Sequence, residues 1–250
     1  MALAASLATA LFASRANAEN VSGTVFDPAG SPLANASVVF SPQPFGVPVF
    51  AISGMTGVYN AVLAPGCWEM EVASSDFGTL YYPGTVLFSQ QQSIVVASGQ
   101  NITGLDFHYP PGHSMGGAFT ASGSLPASLS VRLFSEQGEA TTINEGFASS
   151  PWSLSYVPDG KYLALGDDTG FPRMYASRWF GNADAIGAAT LIDFNANRSD
   201  INFNLQSMVT LTGHITRPGG GFGAGDRVYA YTRGGEYAPV GATTDASGNF

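Results

Sequence analysis

The sequence predicts an all-β protein made of tandem antiparallel Greek-key β-sandwiches. Of its 250 residues only 11% are charged, 45% are hydrophobic, and Gly (31) and Pro (15) are plentiful. This composition favours many short strands joined by tight turns over long helices. Short apolar runs with turn signals between them are typical of sandwich strands. The whole pattern returns after about ninety residues, as expected of an array of like domains.

The first unit, residues 19–109, contains the local signals of a sandwich. Two apolar runs flank Pro65-Gly66, and we interpret the stretch 58–72 as a β-hairpin. A valine at Gly66 should therefore destabilise the protein more than a valine at Gly112, which lies in a predicted linker. The other predicted elements are strands at 21–26, 36–40, 93–96 and 105–109, turns at 27–30 and 53–57, and an aromatic corner at 81–84.

The same order of elements recurs in a second unit, residues 115–206, after a Pro/Gly linker at 110–114. Gly116 takes the place of Gly23 in this alignment, and Gly160 takes the place of Gly66. A third unit, residues 207–250, extends only as far as the approach to the central hairpin. It is therefore the N-terminal part of an incomplete copy. A sandwich without its middle strands exposes an apolar edge, so we expect that the natural protein continues beyond Phe250.

Residues 1–18 have the features of a secretory signal peptide. An apolar core at 3–12 is followed by Ala16-Asn17-Ala18, the small-residue pattern that a signal peptidase recognises. We therefore expect cleavage after Ala18 and a secreted or cell-surface protein. A charged segment before the apolar core is missing, so either the true start lies upstream or the signal is atypical.

The charge balance argues against two classes of partner. The formal net charge is −9, and Lys161 is the only lysine. Nucleic-acid binding requires a basic face, and an anionic membrane attracts one as well. No stretch after the leader is long and apolar enough to span a bilayer. We expect no nucleic-acid partner and no membrane span in these residues.

Several local motifs together resemble a known family. They are the Gly-x-Val start, the turn ending in Gly30, the Asp-x-x-Gly-x-Phe-like approach to the hairpin, the Tyr-Tyr-Pro-Gly corner at 81–84 and the Leu-Asp-Phe strand at 105–107. They resemble the carboxypeptidase regulatory-like domains of bacterial secreted proteins, relatives of transthyretin-like and starch-binding-like sandwiches. The resemblance extends over nearly all of residues 20–250. It implies prealbumin-like sandwiches without a catalytic centre, used as appendages or spacers.

One motif matches the nucleophile elbow of α/β-hydrolases, Gly112-His113-Ser114-Met115-Gly116. That chemistry needs a strand, a strained turn that exposes the serine, and then a helix. Here two prolines precede the motif, and residues typical of β-strands, together with further glycines, follow it. We interpret the motif as linker, and an esterase centred on Ser114 is a distant alternative. No catalytic residue is assigned.

Metal sites and cofactors find little support in the sequence. His108, His113 and His214 are far apart in the chain, whereas a zinc site needs three or four converging ligands. Asp167-Asp168 and Asp193 belong to no regular calcium-binding loop. We interpret these carboxylates as solvated turn residues, and we predict no metal and no cofactor.

Four aromatic residues are the candidate ligand-stacking positions: Tyr81, Tyr82, Trp179 and Phe180. Flat aromatic faces can stack on sugar rings, but large aromatics more commonly fill cores and interfaces. The overall prediction is a non-catalytic extracellular repeat region that acts as a structural spacer or binds a polysaccharide or a cell-surface protein. The alternative is the accessory N-terminal region of a larger secreted hydrolase, a peptidase or glycosidase, whose catalytic domain lies beyond residue 250.

Overall fold

The structure is a computed structural model that describes residues 18–147, 149–171, 173–209, 211–221, 223–231 and 237–250. Its regular elements are strands and two short 3-10 turns, so the predicted all-β class is confirmed. The described residues up to Ser207 form one compact unit, and those from Met208 to Phe250 form a second. Residues 1–17 of the predicted signal peptide lie outside the described residues. Within the described ranges, no helix has the length and apolar character needed to cross a membrane.

The first sandwich packs two sheets face to face. Its strands are β1 (Glu19–Phe26), β2 (Ser37–Gln43), β3 (Val49–Ile52), β4 (Val58–Leu63), β5 (Gly66–Ser74), β6 (Gly78–Tyr81), β7 (Ile94–Val96) and β8 (Phe107–His108). One sheet has the order β4-β1-β8, and the other has the order β3-β2-β5-β6 with β7 also paired to β5. Alternate residues of each strand point inward, and the apolar ones, such as Phe40, Met70 and Phe107, build one core.

The predicted hairpin at 58–72 is wrong. Its two strands, β4 and β5, form at the expected residues, but they do not pair with each other. β4 pairs with β1 in one sheet, and β5 pairs with β2 in the other. The chain therefore crosses from sheet to sheet at Pro65-Gly66. Gly66 has a φ of 156°, which disfavours a side chain at this crossing.

The second sandwich repeats the architecture of the first. Its strands are β9 (Gly112–Gly117), β10 (Phe119–Ala121), β11 (Leu129–Ser135), β12 (Ala140–Phe147), β13 (Trp152–Pro158), β14 (Gly160–Asp168), β15 (Tyr175–Ala176), β16 (Arg178–Trp179), β17 (Ile192–Phe194) and β18 (Phe203–Ser207). Its larger sheet has the order β12-β11-β14-β16 with β17 on β14, the same arrangement as in the first sandwich. A separate core forms around Phe119, Phe194 and Phe203.

The predicted linker at 110–114 is also wrong in part, because β9 begins at Gly112 and pairs with β13. A Cβ on Gly112 would meet the Tyr156 ring and would lie 2.6 Å from the Val157 carbonyl oxygen. Gly66 has more room, with only the Trp68 indole nitrogen nearby at 3.8 Å. We therefore now expect a valine at Gly112 to be more destabilising than a valine at Gly66, the reverse of the order predicted from the sequence. The division into 19–109, 115–206 and 207–250 remains a prediction.

The strand register corrects by one residue the alignment of the two sandwiches that was predicted from the sequence. A Cβ on Gly23 would collide with the Leu105 carbonyl group, and a Cβ on Gly117 would collide with that of Ile201. Gly117, and not Gly116, therefore occupies the place of Gly23. In both sandwiches the closing strand, β8 or β18, pairs parallel to the opening strand.

The second compact unit, Met208–Phe250, contains the predicted third repeat and has the strand pairing found at the opening of a sandwich. Its strands are β19 (Arg227–Tyr231) and β20 (Tyr237–Thr243), which pair antiparallel as β2 and β3 do. Gly213 and Phe250 exchange two backbone hydrogen bonds of 3.0 Å. Gly23 and Tyr59 are partners at the corresponding place in the first sandwich. The predicted third repeat therefore has the same local pairing at this position as the first sandwich.

Four tyrosines make the fold sensitive to alkaline pH. Burial raises the pKa of the hydroxyls of Tyr59, Tyr109, Tyr156 and Tyr162. Their neutral forms are stabilised in the folded state, whereas the unfolded chain ionises near pH 10. This contribution to stability is fully present below about pH 10 and is lost as the pH rises above it.

We therefore expect the Tm to fall steeply as the pH passes about 10. Thermal melts across a pH series measure this fall in Tm. Tyr162→Phe should make the fall shallower, since this variant removes one of the four buried hydroxyls. A Tm that stays level across this range would contradict the prediction.

Candidate functional site

Ser114 lies inside a strand and not at a turn. It belongs to β9, where its backbone N–H donates to Asn197 Oδ1 at 2.9 Å and its carbonyl accepts from the Arg198 N–H. Asn20 makes the same contact with Asn101 in the first sandwich. The strand-to-helix turn that a nucleophile elbow requires is absent here, and the residues are explained by the repeat.

The four candidate stacking aromatics do not form one platform. Tyr81 packs edge-on against Phe88, with ring centroids 5.6 Å apart. Tyr82 lies against the first core, next to Phe107. Trp179, the residue equivalent to Tyr81, has its ring centroid 5.0 Å from that of Phe134. These rings are half-buried within their own sandwiches, and whether they bind a ligand stays a prediction.

Phe180 is the fourth of these aromatics and packs against the second core. The Arg198 guanidinium lies 6.0 Å from the centre of its ring. The Arg198 guanidinium is also held by Asp200 at 2.6 Å. The Arg198 side chain therefore covers part of the Phe180 ring within the same sandwich.

The interpretation of Asp167-Asp168 as solvated turn carboxylates is wrong. Both residues are buried in the second sandwich. Arg173 donates to both carboxylate oxygens of Asp167 at 2.7 Å, and Ser177 donates to one of them. The Asp168 carboxylate accepts backbone N–H groups from Gly170, Met174 and Tyr175. These bonds organise the loop between β14 and β15, so the two carboxylates are structural.

The three histidines lie in separate environments. His108 stacks on Phe26, with ring centroids 4.5 Å apart. His113 Nε2 lies 3.4 Å from an Asp159 carboxylate oxygen, and His214 Nε2 lies 2.8 Å from the Ser247 carbonyl oxygen. Over the ranges that the structure describes, no three His, Cys, Asp or Glu residues are grouped to hold a metal ion.

A cleft of about 480 Å³ between the two sandwiches is the candidate binding site. Its size falls within the range of about 300–1,000 Å³ typical of small-ligand sites. One wall is the β5–β6 turn of the first sandwich, and the other is formed by β12 and β13 of the second. The lining residues are Ser74–Thr79, Val86, Thr142–Glu145, Phe147, Ser153–Tyr156 and Pro158.

The lining of this inter-sandwich cleft combines ring faces with hydrogen-bonding groups. Phe77 and Tyr156 supply aromatic surface, Asn144 supplies an amide, and several serines supply hydroxyls. Asp76 and Glu145 add two exposed carboxylates. Among the described residues that line the cleft, none is Lys, Arg or His. The cleft therefore suits neutral, hydroxyl-rich ligands and disfavours polyanions.

Tyr156 is the residue that couples the two sandwiches below the cleft. It belongs to β13 of the second sandwich but packs against the core of the first. Its ring centroid lies 5.1 Å from that of Phe77 and 6.3 Å from that of Tyr109, edge-on in both cases. Its hydroxyl donates to the Pro110 carbonyl at 2.6 Å. The contact is thus an aromatic cluster shared by both sandwiches.

Hydrogen bonds reinforce this junction on its other side. The Thr142 N–H donates to the Val86 carbonyl at 3.1 Å, and its hydroxyl donates to the Thr79 carbonyl at 2.6 Å. Ser89 donates its N–H and its hydroxyl to the Glu139 carboxylate. These bonds from Ser89 hold the pKa of Glu139 below its ordinary value. The junction therefore has both apolar and polar contacts.

Neither the cleft nor the junction was identified from the sequence. Their residues lie far apart in the chain, and the residues around Tyr156 indicate only that it belongs to a strand. The one available signal was the close spacing of the two repeats, which leaves few residues between β8 and β9. So short a connection forces the sandwiches into contact.

No family model and no curated protein matches the chain. Solved structures that match the chain include the Bacillus anthracis TIE protein, at 13% identity and a TM-score of 0.30, covering 94% of this chain. This chain spans 43% of that protein, less than half of its length.

Two further solved structures belong to smaller β-sandwich proteins. The minor pilin GBS52 of Streptococcus agalactiae matches at 10% identity and a TM-score of 0.33, covering 80% of this chain and 100% of its own. A DUF3823 family protein from Parabacteroides merdae matches at 13% identity and a TM-score of 0.25, covering 60% and 90%. At these values no ligand, activity or assembly carries over from these proteins to this chain.

Proposed function

We propose that the chain is a non-catalytic repeat region of a secreted or cell-surface protein, in which sandwiches of the carboxypeptidase regulatory-like type act as a structural spacer. The observation that carries this proposal is the junction between the two sandwiches. Tyr156 packs against the core of the preceding sandwich, and Thr142 and Glu139 add hydrogen bonds. A spacer requires such contacts, because domains with few contacts move relative to one another.

The spacer proposal is tested by measuring the distance between two spin labels. We choose the exposed positions Ser31→Cys and Asp193→Cys, one in each sandwich, in a Cys67→Ser background so that only the introduced thiols react. A rigid junction gives one narrow distance distribution. A distribution spread over many distances would show independent sandwiches and reject the spacer.

The chemistry of the inter-sandwich cleft favours a second function, the binding of a neutral saccharide. Sugar rings present apolar C–H faces that stack on aromatic rings, and their hydroxyls pair with amide and carboxylate oxygens. Phe77, Tyr156, Asp76 and Asn144 supply such groups. The carboxylates of the cleft and the net charge of −9 repel uronic-acid and sulfated chains.

We expect Asp76→Ala combined with Asn144→Ala to weaken binding of neutral polysaccharides at least about tenfold, which is about 1.4 kcal/mol. Affinity electrophoresis on neutral and uronic-acid polysaccharides measures the effect. The control is Asp193→Ala, an exposed carboxylate outside the cleft. If Tyr82→Ala or Trp179→Ala removes binding and the cleft variant does not, the surface aromatics are the site.

A further inference from the structure

The outer face of the larger sheet in the second sandwich carries a polar depression. Val131 and Leu133 of β11 belong to the core, so Ser130 and Arg132, which alternate with them, face outward. The depression has a volume of about 430 Å³, within the range of about 300–1,000 Å³ typical of small-ligand sites. We call it the outer depression, and its lining residues are Ser130, Arg132, Asn144, Gly146, Asp167 and Thr169.

The first sandwich is apolar at the same positions. Ser37 of β2 corresponds to Ser130 of β11, because each pairs with β3 or β12 on one side and with β5 or β14 on the other. By this register, Arg132, Asn144, Gly146 and Asp167 take the places of Val39, Phe50, Ile52 and Ala73. Since the same sheet forms with either set, the fold does not require the polar one.

Arg132 gives the outer depression a cation with free donors. Its Nη2 lies 3.8 Å from Asp167 Oδ2, which is too far for a hydrogen bond. Arg173 already donates to both oxygens of Asp167 at 2.7 Å and balances its charge. Among the described arginines of this sandwich, Arg178 and Arg198 also bind carboxylates of the chain, whereas Arg132 binds none. Its planar guanidinium can therefore take a carboxylate of a ligand.

The Arg132 side chain is held in position by aromatic packing. Its guanidinium carbon lies 5.8 Å from the centre of the Phe134 ring. Phe134 in turn packs on Trp179, with ring centroids 5.0 Å apart. The Arg132 side chain is 44% exposed, so the charge is supported from one side and open on the other. Such support lowers the entropy that binding a ligand costs.

Hydroxyl and amide groups surround this cation. Ser130 is only 7% exposed, yet its hydroxyl has no hydrogen-bond partner among the described residues, whereas most buried polar groups are paired. Thr169 supplies a second hydroxyl, and Asn144, which also lines the inter-sandwich cleft, supplies an amide. Gly146 keeps the depression open, since a Cβ there would meet only the Leu129 carbonyl oxygen, at 3.8 Å.

We propose that the outer depression binds a small hydroxylated carboxylate, the chemistry of a sugar acid. The carboxylate pairs with the Arg132 guanidinium, and the hydroxyls of the ligand pair with Ser130, Asn144 and Thr169. One free guanidinium suits one negative charge, and the net charge of −9 disfavours a polyanionic chain. The proposal is independent of saccharide binding in the inter-sandwich cleft, which contains no cationic residue among those described.

Titration of the ¹⁵N-labelled full chain with glucuronate, followed by ¹H–¹⁵N correlation spectra, tests this proposal. Glucose and acetate are the matched probes, since one lacks the carboxylate and the other lacks the hydroxyls. We expect glucuronate to bind more tightly than either and to shift the signals of the outer depression. Arg132→Ala should raise the Kd at least about tenfold, because it removes charge-assisted hydrogen bonds. Gly146→Ile should also raise the Kd, because it fills the depression as Ile52 does in the first sandwich.

Two variants are controls, and the spectrum of each variant verifies that it is folded. Arg198→Ala removes the same charge outside the depression, and Asp76→Ala changes only the cleft, so both should keep the wild-type Kd for glucuronate. An equal loss in Arg198→Ala would overturn the proposal in favour of nonspecific charge attraction. An equal loss in Asp76→Ala would move the ligand to the cleft. Glucose or acetate binding as tightly as glucuronate would also overturn the proposal.

Discussion

Gly23→Ala is expected to destabilise the first sandwich by about 3 kcal/mol, a value at the upper end of the range for overpacked cores. β1 lies beneath the segment that leads into β8, and a Cβ on Gly23 would collide with the Leu105 carbonyl group. The Tyr59 hydroxyl, which donates to that carbonyl, would lie 2.7 Å from the new atom. Backbone on one side and a buried phenol on the other leave no room to relax. Denaturant unfolding measures the change.

The matched control is Gly54→Ala in the same sandwich. Its added Cβ meets only the Val58 carbonyl oxygen, at an ordinary 3.7 Å. Gly117→Ala should reproduce the loss in the second sandwich, because its Cβ would collide with the Ile201 carbonyl group. Similar midpoints for Gly23→Ala and Gly54→Ala would contradict the close approach of β1 and the closing segment.

Tyr156→Ala is expected to uncouple the two sandwiches. Removing a packed aromatic ring typically costs about 3–5 kcal/mol, and this half-buried site lies at the lower end of that range. The variant deletes the ring contacts with Phe77 and Tyr109 and the hydrogen bond to Pro110. The distance distribution between labels at positions 31 and 193 should broaden markedly, and the unfolding free energy should fall by about 3 kcal/mol.

Tyr156→Phe separates the ring from its hydroxyl. It should cost about 1 kcal/mol, as expected for one hydrogen bond, and leave the distance distribution narrow. Tyr81→Ala is a further control, because Tyr81 packs on Phe88 within its own sandwich. If Tyr156→Ala keeps the wild-type distance distribution, the hydrogen bonds of Thr142 and Glu139 hold the junction without the aromatic cluster.

The repeat and most strand positions could be predicted from the sequence. Alternating apolar residues identify a strand from local information, and turn glycines such as Gly30, with a φ of 80°, mark where it ends. Strand pairing could not be read in the same way. β4 and β5 show the same alternation and the same Pro65-Gly66 turn whether they pair together or enter opposite sheets, because either arrangement buries alternate residues.

The burial of polar side chains also could not be predicted from the local sequence pattern. Asp167 and Asp168 look like turn residues in the sequence. Their burial depends on Arg173 and on backbone N–H groups that approach from the next loop. Only the folded chain shows that these donors are present, and without them burial of two carboxylates would be strongly unfavourable.

The sequence by itself determined the all-β class, the repeated order of elements and most strand positions, because these follow from composition and short-range periodicity. The tertiary structure alone decided which strands share a sheet, that Tyr156 packs against the neighbouring core, and that a cleft opens between the sandwiches. Those features join residues distant in the chain, and the free energy that selects them comes from packing and hydrogen bonding across that distance.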